Sequence, residues 1–598
     1  MIIQRFSVNN YPVQTILSWV QSNEVAIPEI QRPFVWSSTQ VRDLVDSLYN
    51  GFPVGYLITW KNPNVRLKDG STSNGKRILI DGQQRVTALM TAILGKEVFD
   101  SNYRRRRITI AFNPTLRKFE VLNSIIKKDS QWISDISEIF SPGFKILDKI
   151  RDYCALNPEV SQEDILHAID ALKSIMNITI GLIELNPDLD IDEVTEIFIR
   201  INSSGLTLSQ ADFAMSKIAV DEIYGGNLLR KAIDYFSHLA VKPEFIDIIR
   251  ENDAAFMETE YFPKLQWLKD DRENLYDPDY KDIIRVAFTY KFRRGPLQEL
   301  VALLSGRNFE TREYQENIAE ESFAILKEGV FDFMNETHFK RFIMIIRSAG
   351  FIDPFMIRSK NALNFSYVLY LTLKENGVHP SLIETYVRRW FVMSVLKSRY
   401  SSSPESQFSF DIKRLTETNP IQYMEDVLKS ELSDAYWEYS LPLEMDTSVT
   451  SHPLYHAFLA AQVKLNDKGF LSKDILVSDL IKLKGDLHHI YPREFLKNQG
   501  FDKGLINQIA NFAVAQSEIN IAIGKKDPGQ YFTELVNQCN GGHIKYGGIT
   551  SFRQLEENLA EHCIPLDFIK TGPLPYHEFL LKRRQLMASK IRRYFGLL

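Results

Sequence analysis

Cysteine is scarce in this sequence: three in 598 residues (Cys154, Cys539 and Cys563), with no CxxC pair. That excludes a disulfide framework and a cysteine zinc site, and it points to a reduced, cytoplasmic protein. No run approaches the roughly 18 uncharged apolar residues of a membrane span. The opening MIIQRFSVNNYPVQ has neither the basic start nor the apolar stretch of a signal peptide. The sequence GxxxxGK(S/T) does not occur, which removes a P-loop enzyme from consideration. Internal repeats and low-complexity tracts are absent too. Positive charge is not in excess: the net charge is −5, which argues against coating nucleic acid over the whole surface.

What is present has the composition of a globular protein, 44% hydrophobic and 25% charged. A chain of 598 residues is too long for one core, so two to four domains are expected. The patterns divide it into an N-terminal α/β region (1–222), a helical middle (223–400) and a C-terminal region (401–598), an α+β fold that is predominantly helical. Polar SRYSSSPESQ (398–407) reads as the linker between the last two. Two basic clusters, Arg104 to Arg107 and the stretch LLKRRQLMASKIRRYF, read as solvated faces. The second also carries a helical stripe of Leu580, Met587, Ile591 and Tyr594, so it is first of all a docking helix.

In the first region SSTQ (37–40) is a capping box, with Ser37 as N-cap and Gln40 three positions on. Val41, Leu44, Val45 and Leu48 then follow at helical spacing. GYLITW (55–60) and RILI (77–80) read as strands, and ITIAF (108–112) with KFEVL (118–122) as a hairpin around Asn113-Pro114. After RILI comes DGQQR. A helix N-terminus offers unpaired N–H groups to a phosphate, and Arg85 in its first turn could fork onto phosphate oxygens. Asp81 could hold Mg²⁺ or orient a water, Gln83 and Gln84 could bind nucleotide or water, and Gly82 permits close approach. The plainer alternative is that Asp81 only caps the helix and the amides face solvent. Farther on, a helix restarting at LSQAD would take Ser209 as its N-cap.

IPEIQRPFVW (27–36), GFPVGYLITW (51–60), DGQQR (81–85) and FIRINSSGLTLSQADF (198–213) occur in that order. Together they resemble the N-terminal domain of the GmrSD-type restriction endonucleases, the type IV, modification-dependent class, a domain also similar to ParB and sulfiredoxin. The resemblance implies a nucleoside triphosphate pocket at Asp81, Gly82, Gln83, Gln84 and Arg85. It extends to Gln31 and Arg32, which Pro33 would aim, and to Asn202 in the loop with Ser204 and Gly205. The nucleotide base is left open.

The second informative stretch is DLHHIYPREFL (486–496). Side chains alternate across a strand, so His488 and His489 point opposite ways. That is wrong for two ligands of one metal and suits one ligand and one general base. Adjacent histidines can also be ordinary core residues. A second strand, Asn511 to Gln516, leads to a helix with Ser517 as N-cap and Asn520 in its first turn. This order resembles the ββα-metal or HNH nuclease fold, the usual C-terminal partner of the first domain. The resemblance implies His489 as general base, Asn511 bracing its loop, and His488 with Asn520 holding one divalent cation, Mg²⁺ or Mn²⁺. Two departures are visible: His488 stands where many such nucleases have an acid, and Asn520 where many have a histidine. His543 is a competing ligand, Asp486 a partner for a metal-bound histidine, and Lys525 or Lys526 a phosphate contact or a solvated helix end.

The expectation is therefore a nucleotide-regulated, metal-dependent DNA endonuclease of bacterial antiphage defence. Its partners would be nucleoside triphosphate and modified phage DNA, with no membrane and with a homo-oligomer left open. Two alternatives stand beside it: an NTP-hydrolysing regulatory or DNA-binding protein whose HNH-like domain is inert, and an HNH ribonuclease toxin.

Overall fold

A computed structural model describes residues 4–22, 24–26, 36–61, 77–99, 105–189, 193, 194, 197, 210–221, 223–272, 274–311 and 313–598. Gln31, Arg32, Asn202, Ser204, Gly205 and the N-cap expected at Ser209 lie outside them. The chain forms two compact units, one of residues 1–230 with 301–319, the other of 231–300 with 320–598. Helix predominates, with one small mixed sheet and several two-stranded pieces. Among the described residues no helix is long and apolar enough to cross a membrane.

The first unit is built on five strands, β1 (Phe6–Pro12), β2 (Val25–Ala26), β3 (Leu57–Lys61), β4 (Arg77–Asp81) and β9 (Thr179–Leu185), in the order β1-β9-β3-β4-β2. Strands β3 and β9 run parallel, as do β2 and β4, while β1/β9 and β3/β4 are antiparallel. Alternation sorts their side chains to two faces. Leu57, Leu79, Ile180 and Leu182 enter the main core, together with helices α1 (Val13–Gln21), α2 (Ser38–Tyr49) and α3 (Gln83–Ile93). Ile58, Trp60 and Leu185 enter a smaller cluster on the other face. Short strands β5 (Val98–Phe99) and β6 (Arg105–Arg106) pair with each other, and β7 (Ile110–Asn113) pairs with β8 (Lys118–Val121). The expected capping box is present: the Gln40 amide N–H reaches the Ser37 hydroxyl, and the Ser37 N–H reaches Gln40 Oε1 at 2.8 Å. The stripe Val41, Leu44, Val45 and Leu48 is buried behind it.

The second unit is a succession of helices. Those at Lys360–Glu375 and Pro380–Leu396 are buried on nearly every side, as helices that are apolar all round must be. One antiparallel pair, β10 (Asp486–His489) and β11 (Phe512–Ala515), is set among them. The basic C-terminal stretch is a docking helix, Tyr576–Gly596, burying Leu580, Met587, Ile591 and Tyr594. Its charges are largely paired rather than solvated: Arg584 with Asp446 at 2.6 Å, Lys590 with Asp467, and Arg592 with Asp434.

Residues 398–407, polar enough to read as a linker, are a turn that runs into the helix Pro404–Glu417 inside this unit, with its serines exposed and Tyr400 buried. Asp411, fully buried, accepts from Arg399 Nε (2.9 Å) and Nη2 (2.7 Å), from the Tyr400 and Tyr423 hydroxyls (2.7 Å each) and from Gln407 Nε2 (3.0 Å). Tyr400 also accepts from Trp390 Nε1 at 3.0 Å. Composition misled here because a buried charge draws polar residues inward to satisfy it. Asp411→Ala is expected to cost about 3–5 kcal/mol, since it breaks the buried ion pair and leaves Arg399 with Glu431 (3.0 Å) as its remaining acid. Urea unfolding followed by tryptophan fluorescence measures this.

Candidate functional site

Two sequence motifs interlock in the first unit. Strand β4 ends at Asp81, and Gly82 turns the chain in the left-handed region (φ 92°) into α3. A Cβ on Gly82 would lie 2.2 Å from a methyl of Leu57, so only glycine lets the turn lie against β3. Asp81 does not cap the helix: Gly82 is the N-cap and no side chain caps it. Asp81 Oδ2 instead pairs with Arg85 Nη2 at 3.0 Å, one helical turn on. Arg85 Nη1 donates to the carbonyls of Tyr56 (2.7 Å) and Val54 (3.3 Å). Gly55 makes room for it, since a Cβ there would stand 2.7 Å from that nitrogen. Gln83 Nε2 donates back to the Leu79 carbonyl at 3.1 Å. The guanidinium is thus committed to holding FPVGY against DGQQR, a role that neither motif alone suggested. What remains for an anion is the uncapped first turn of α3 beside a partly exposed Asp81.

In the second unit, β10 and β11 pair in the register Asp486↔Ala515 to His489↔Phe512, and the helix Ser517–Ile523 follows. That helix starts one residue earlier than its sequence suggested. Gln516 is the N-cap, extended at ψ 146°, and Asn520 N–H donates to its carbonyl. Asn511 likewise belongs to the 3-10 turn preceding β11 rather than to the strand.

The two histidines face different partners, as strand alternation requires. His488 is buried and donates from Nδ1 to Asn520 Oδ1 at 2.7 Å; Asn520 Nδ2 in turn donates to Asp486 Oδ2 at 3.1 Å. Its ring stacks on Phe470, centroids 5.5 Å apart, and its Nε2 is buried without a partner. His489 donates from Nε2 to Asn507 Oδ1 at 3.0 Å, which leaves the Nδ1 lone pair available, and its ring packs on Phe512. Asn507 carried no signal in the sequence. Asn511, fully buried, accepts from the Tyr491 N–H (2.8 Å) and donates to the carbonyls of Tyr491 (3.1 Å) and Ile506 (3.0 Å).

Burial pushes His488 down to about 4 and His489 below the usual imidazole range, with Arg493 adding to the latter. Both are neutral at pH 7, the form a metal ligand and a general base need. The His488 imidazole, the Asn520 amide and the Asp486 carboxylate meet as one hydrogen-bond chain; with the His488 Nδ1 proton released, their nitrogen and oxygens would fit Mg²⁺ or Mn²⁺ with water completing the shell. Among the described residues, however, no three His, Cys, Asp or Glu side chains converge. His543 lines, with Glu534, Asn537, Gln538 and Lys545, an open cavity of about 360 Å³. Lys526 is engaged by Glu534 (3.0 Å), the Tyr546 hydroxyl (2.6 Å) and the Ala522 carbonyl (2.9 Å), whereas Lys525 is exposed.

The first unit thus offers a strand–glycine–helix turn with an uncapped helix start, and the second a cluster of histidines and asparagines around two strands and a helix. Residues 13–219 match the family model described as GmrSD restriction endonuclease, N-terminal domain. Over 565 residues the chain is 23% identical to an uncharacterized protein of Methanocaldococcus jannaschii, covering 87% of this chain and 86% of that one.

The buried histidines make the second unit acid-labile. His456 and His488 are held at about 4 and His562 at about 3 by burial. The unfolded chain takes up protons near pH 6.5 while the folded one does not, so stability is full above 6.5 and declines from there toward about 4. The thermal midpoint is expected to fall across that window, and His456→Gln to flatten the fall; calorimetry between pH 4 and 8 reads both.

Proposed function

We propose that this protein is a nucleotide-regulated, metal-dependent DNA endonuclease of bacterial defence that cleaves modified foreign DNA. The observation that carries the reading is the arrangement of His488, His489, Asn511 and Asn520 on two antiparallel strands and the helix after them. The match of residues 13–219 to the GmrSD N-terminal domain supports restriction-type defence and DNA as substrate.

In this reading His489 takes a proton from water at Nδ1, while Asn507 holds the opposite nitrogen and sets the ring's tautomer. Asn511 fixes Tyr491, and with it the end of the strand that presents His489. His488 and Asn520, with Asp486 behind them, would hold a divalent cation once the His488–Asn520 hydrogen bond gave way, and the cation would supply charge stabilisation at the leaving oxygen. A nucleoside triphosphate would lie at the uncapped start of α3, with Asp81, Gly82, Gln83, Gln84 and Arg85 around it and with Gln31, Arg32 and Asn202 as further contacts. One observation favours the alternative of an inert nuclease domain: the Asn520 side chain is already bonded on one side to His488 and on the other to Asp486.

Purified protein is to be incubated with plain and phage-modified DNA, and with RNA, in Mg²⁺ or Mn²⁺, with and without each nucleoside triphosphate. Cleavage of modified DNA is expected, falling about 100-fold or more in His489→Ala. Asp81→Ala is expected to abolish nucleotide turnover and its control of cutting. Equal cutting by wild type and His489→Ala sinks the nuclease assignment, and cutting of RNA alone selects the toxin reading.

A further inference from the structure

Arg583, on the helix Tyr576–Gly596, is fully buried, yet no acid pairs with it among the described residues. The ionisable groups that act on it are Cys563, Tyr455, Tyr531 and Tyr576; burial pulls it down only to about 10, so it remains a cation at neutral pH. Nη2 is buried with no partner at all. A buried charge lacking a counter-charge is a poor source of stability, and an apolar side chain of similar volume is often neutral or better in such a place. Stability therefore does not account for arginine here.

Its two bonded arms suggest what does. Nη1 donates to the carbonyl of Ala510 at 2.7 Å. The next residue is Asn511, whose amide clamps Tyr491 just beyond His489. Nε donates to the carbonyl of His562 at 3.1 Å. The His562 ring bonds the Lys468 carbonyl at 2.8 Å and packs edge-on against Phe470, the ring on which His488 is stacked. One rigid fork thus holds Ala510, beside the residue that clamps Tyr491, and His562, whose ring touches the ring on which His488 is stacked. The fork has a planar geometry that a flexible ammonium does not reproduce.

We propose that Arg583 is a positioning residue for phosphodiester cleavage, setting His489 through Ala510 and Asn511 and His488 through His562 and Phe470. This rests on the nuclease reading above. It predicts a separation that a purely structural residue does not give, with stability kept and turnover lost.

The test uses the full chain as wild type, Arg583→Met, Arg583→Lys and His489→Ala. Expected for Arg583→Met are an unchanged or raised thermal midpoint, a KM for DNA within twofold of wild type, and a kcat at least tenfold lower. Hydrogen exchange by mass spectrometry should speed up at least tenfold in the peptide covering 488–496, where the Tyr491 N–H reports the clamp. Arg583→Lys, which can reach one carbonyl, should recover part of the kcat. Cutting by Arg583→Met within twofold of wild type, or exchange unchanged at 488–496, overturns the proposal. So does a midpoint that drops together with activity. Should Arg583→Met fail to fold, Arg583→Lys is read by the same criteria. If wild type and His489→Ala cut equally, the nuclease reading has failed, and exchange at 488–496 alone decides whether Arg583 positions this loop.

Discussion

The second unit's candidate site depends on one buried amide. Asn511 has no exposure to solvent, so each of its polar atoms must find a partner inside the protein or cost the unit the full desolvation of that group. It finds them on the backbone of Tyr491 and Ile506. Those bonds tie the end of β10 to the segment entering β11, two stretches far apart in sequence. The surrounding shell follows the same logic: Tyr531 donates to the Ile490 carbonyl at 2.7 Å, and the Tyr491 hydroxyl reaches the Leu574 carbonyl at 2.6 Å. The strand that presents the histidines thus runs into a turn whose Ile490 and Tyr491 backbone groups are bonded by Tyr531 and Asn511.

The first unit solves a similar problem with absent side chains rather than added ones. Gly82 lies against Leu57 and Gly55 against Arg85, so the two motifs are close because each has a residue without a Cβ where the other needs space. The Arg85 guanidinium then fills that space and binds three acceptors there. Strict sequence pattern in this region is a packing requirement before it is a chemical one. That is why DGQQR cannot be assigned to a ligand on composition alone.

Periodic features were legible from the residues. The capping box at Ser37, the stripes of α2 and of the C-terminal helix, the β7–β8 hairpin and the ββα order around His488 all follow from local spacing. What escaped depends on contacts distant in sequence. Asn507 reads as an ordinary turn residue until His489 is folded onto it, and 398–407 reads as a linker until Asp411 is seen to gather its polar side chains. Arg583 sits in a run of basic residues whose neighbours are ion-paired at the surface, and only burial distinguishes it from them. The N-cap at Gln516 rather than Ser517 is a one-residue difference that spacing does not resolve.

The bond from Arg583 to Ala510 spans 73 residues of chain. During synthesis at about 5–20 residues per second, that separation is a delay of about 4–15 s between the emergence of Ala510 and that of Arg583. Throughout that interval the Ala510 carbonyl lacks its fork. Both strands of the β10–β11 pair are therefore made before the helix whose guanidinium braces the residue beside Asn511. The order of synthesis makes this bond one of the last the second unit can form.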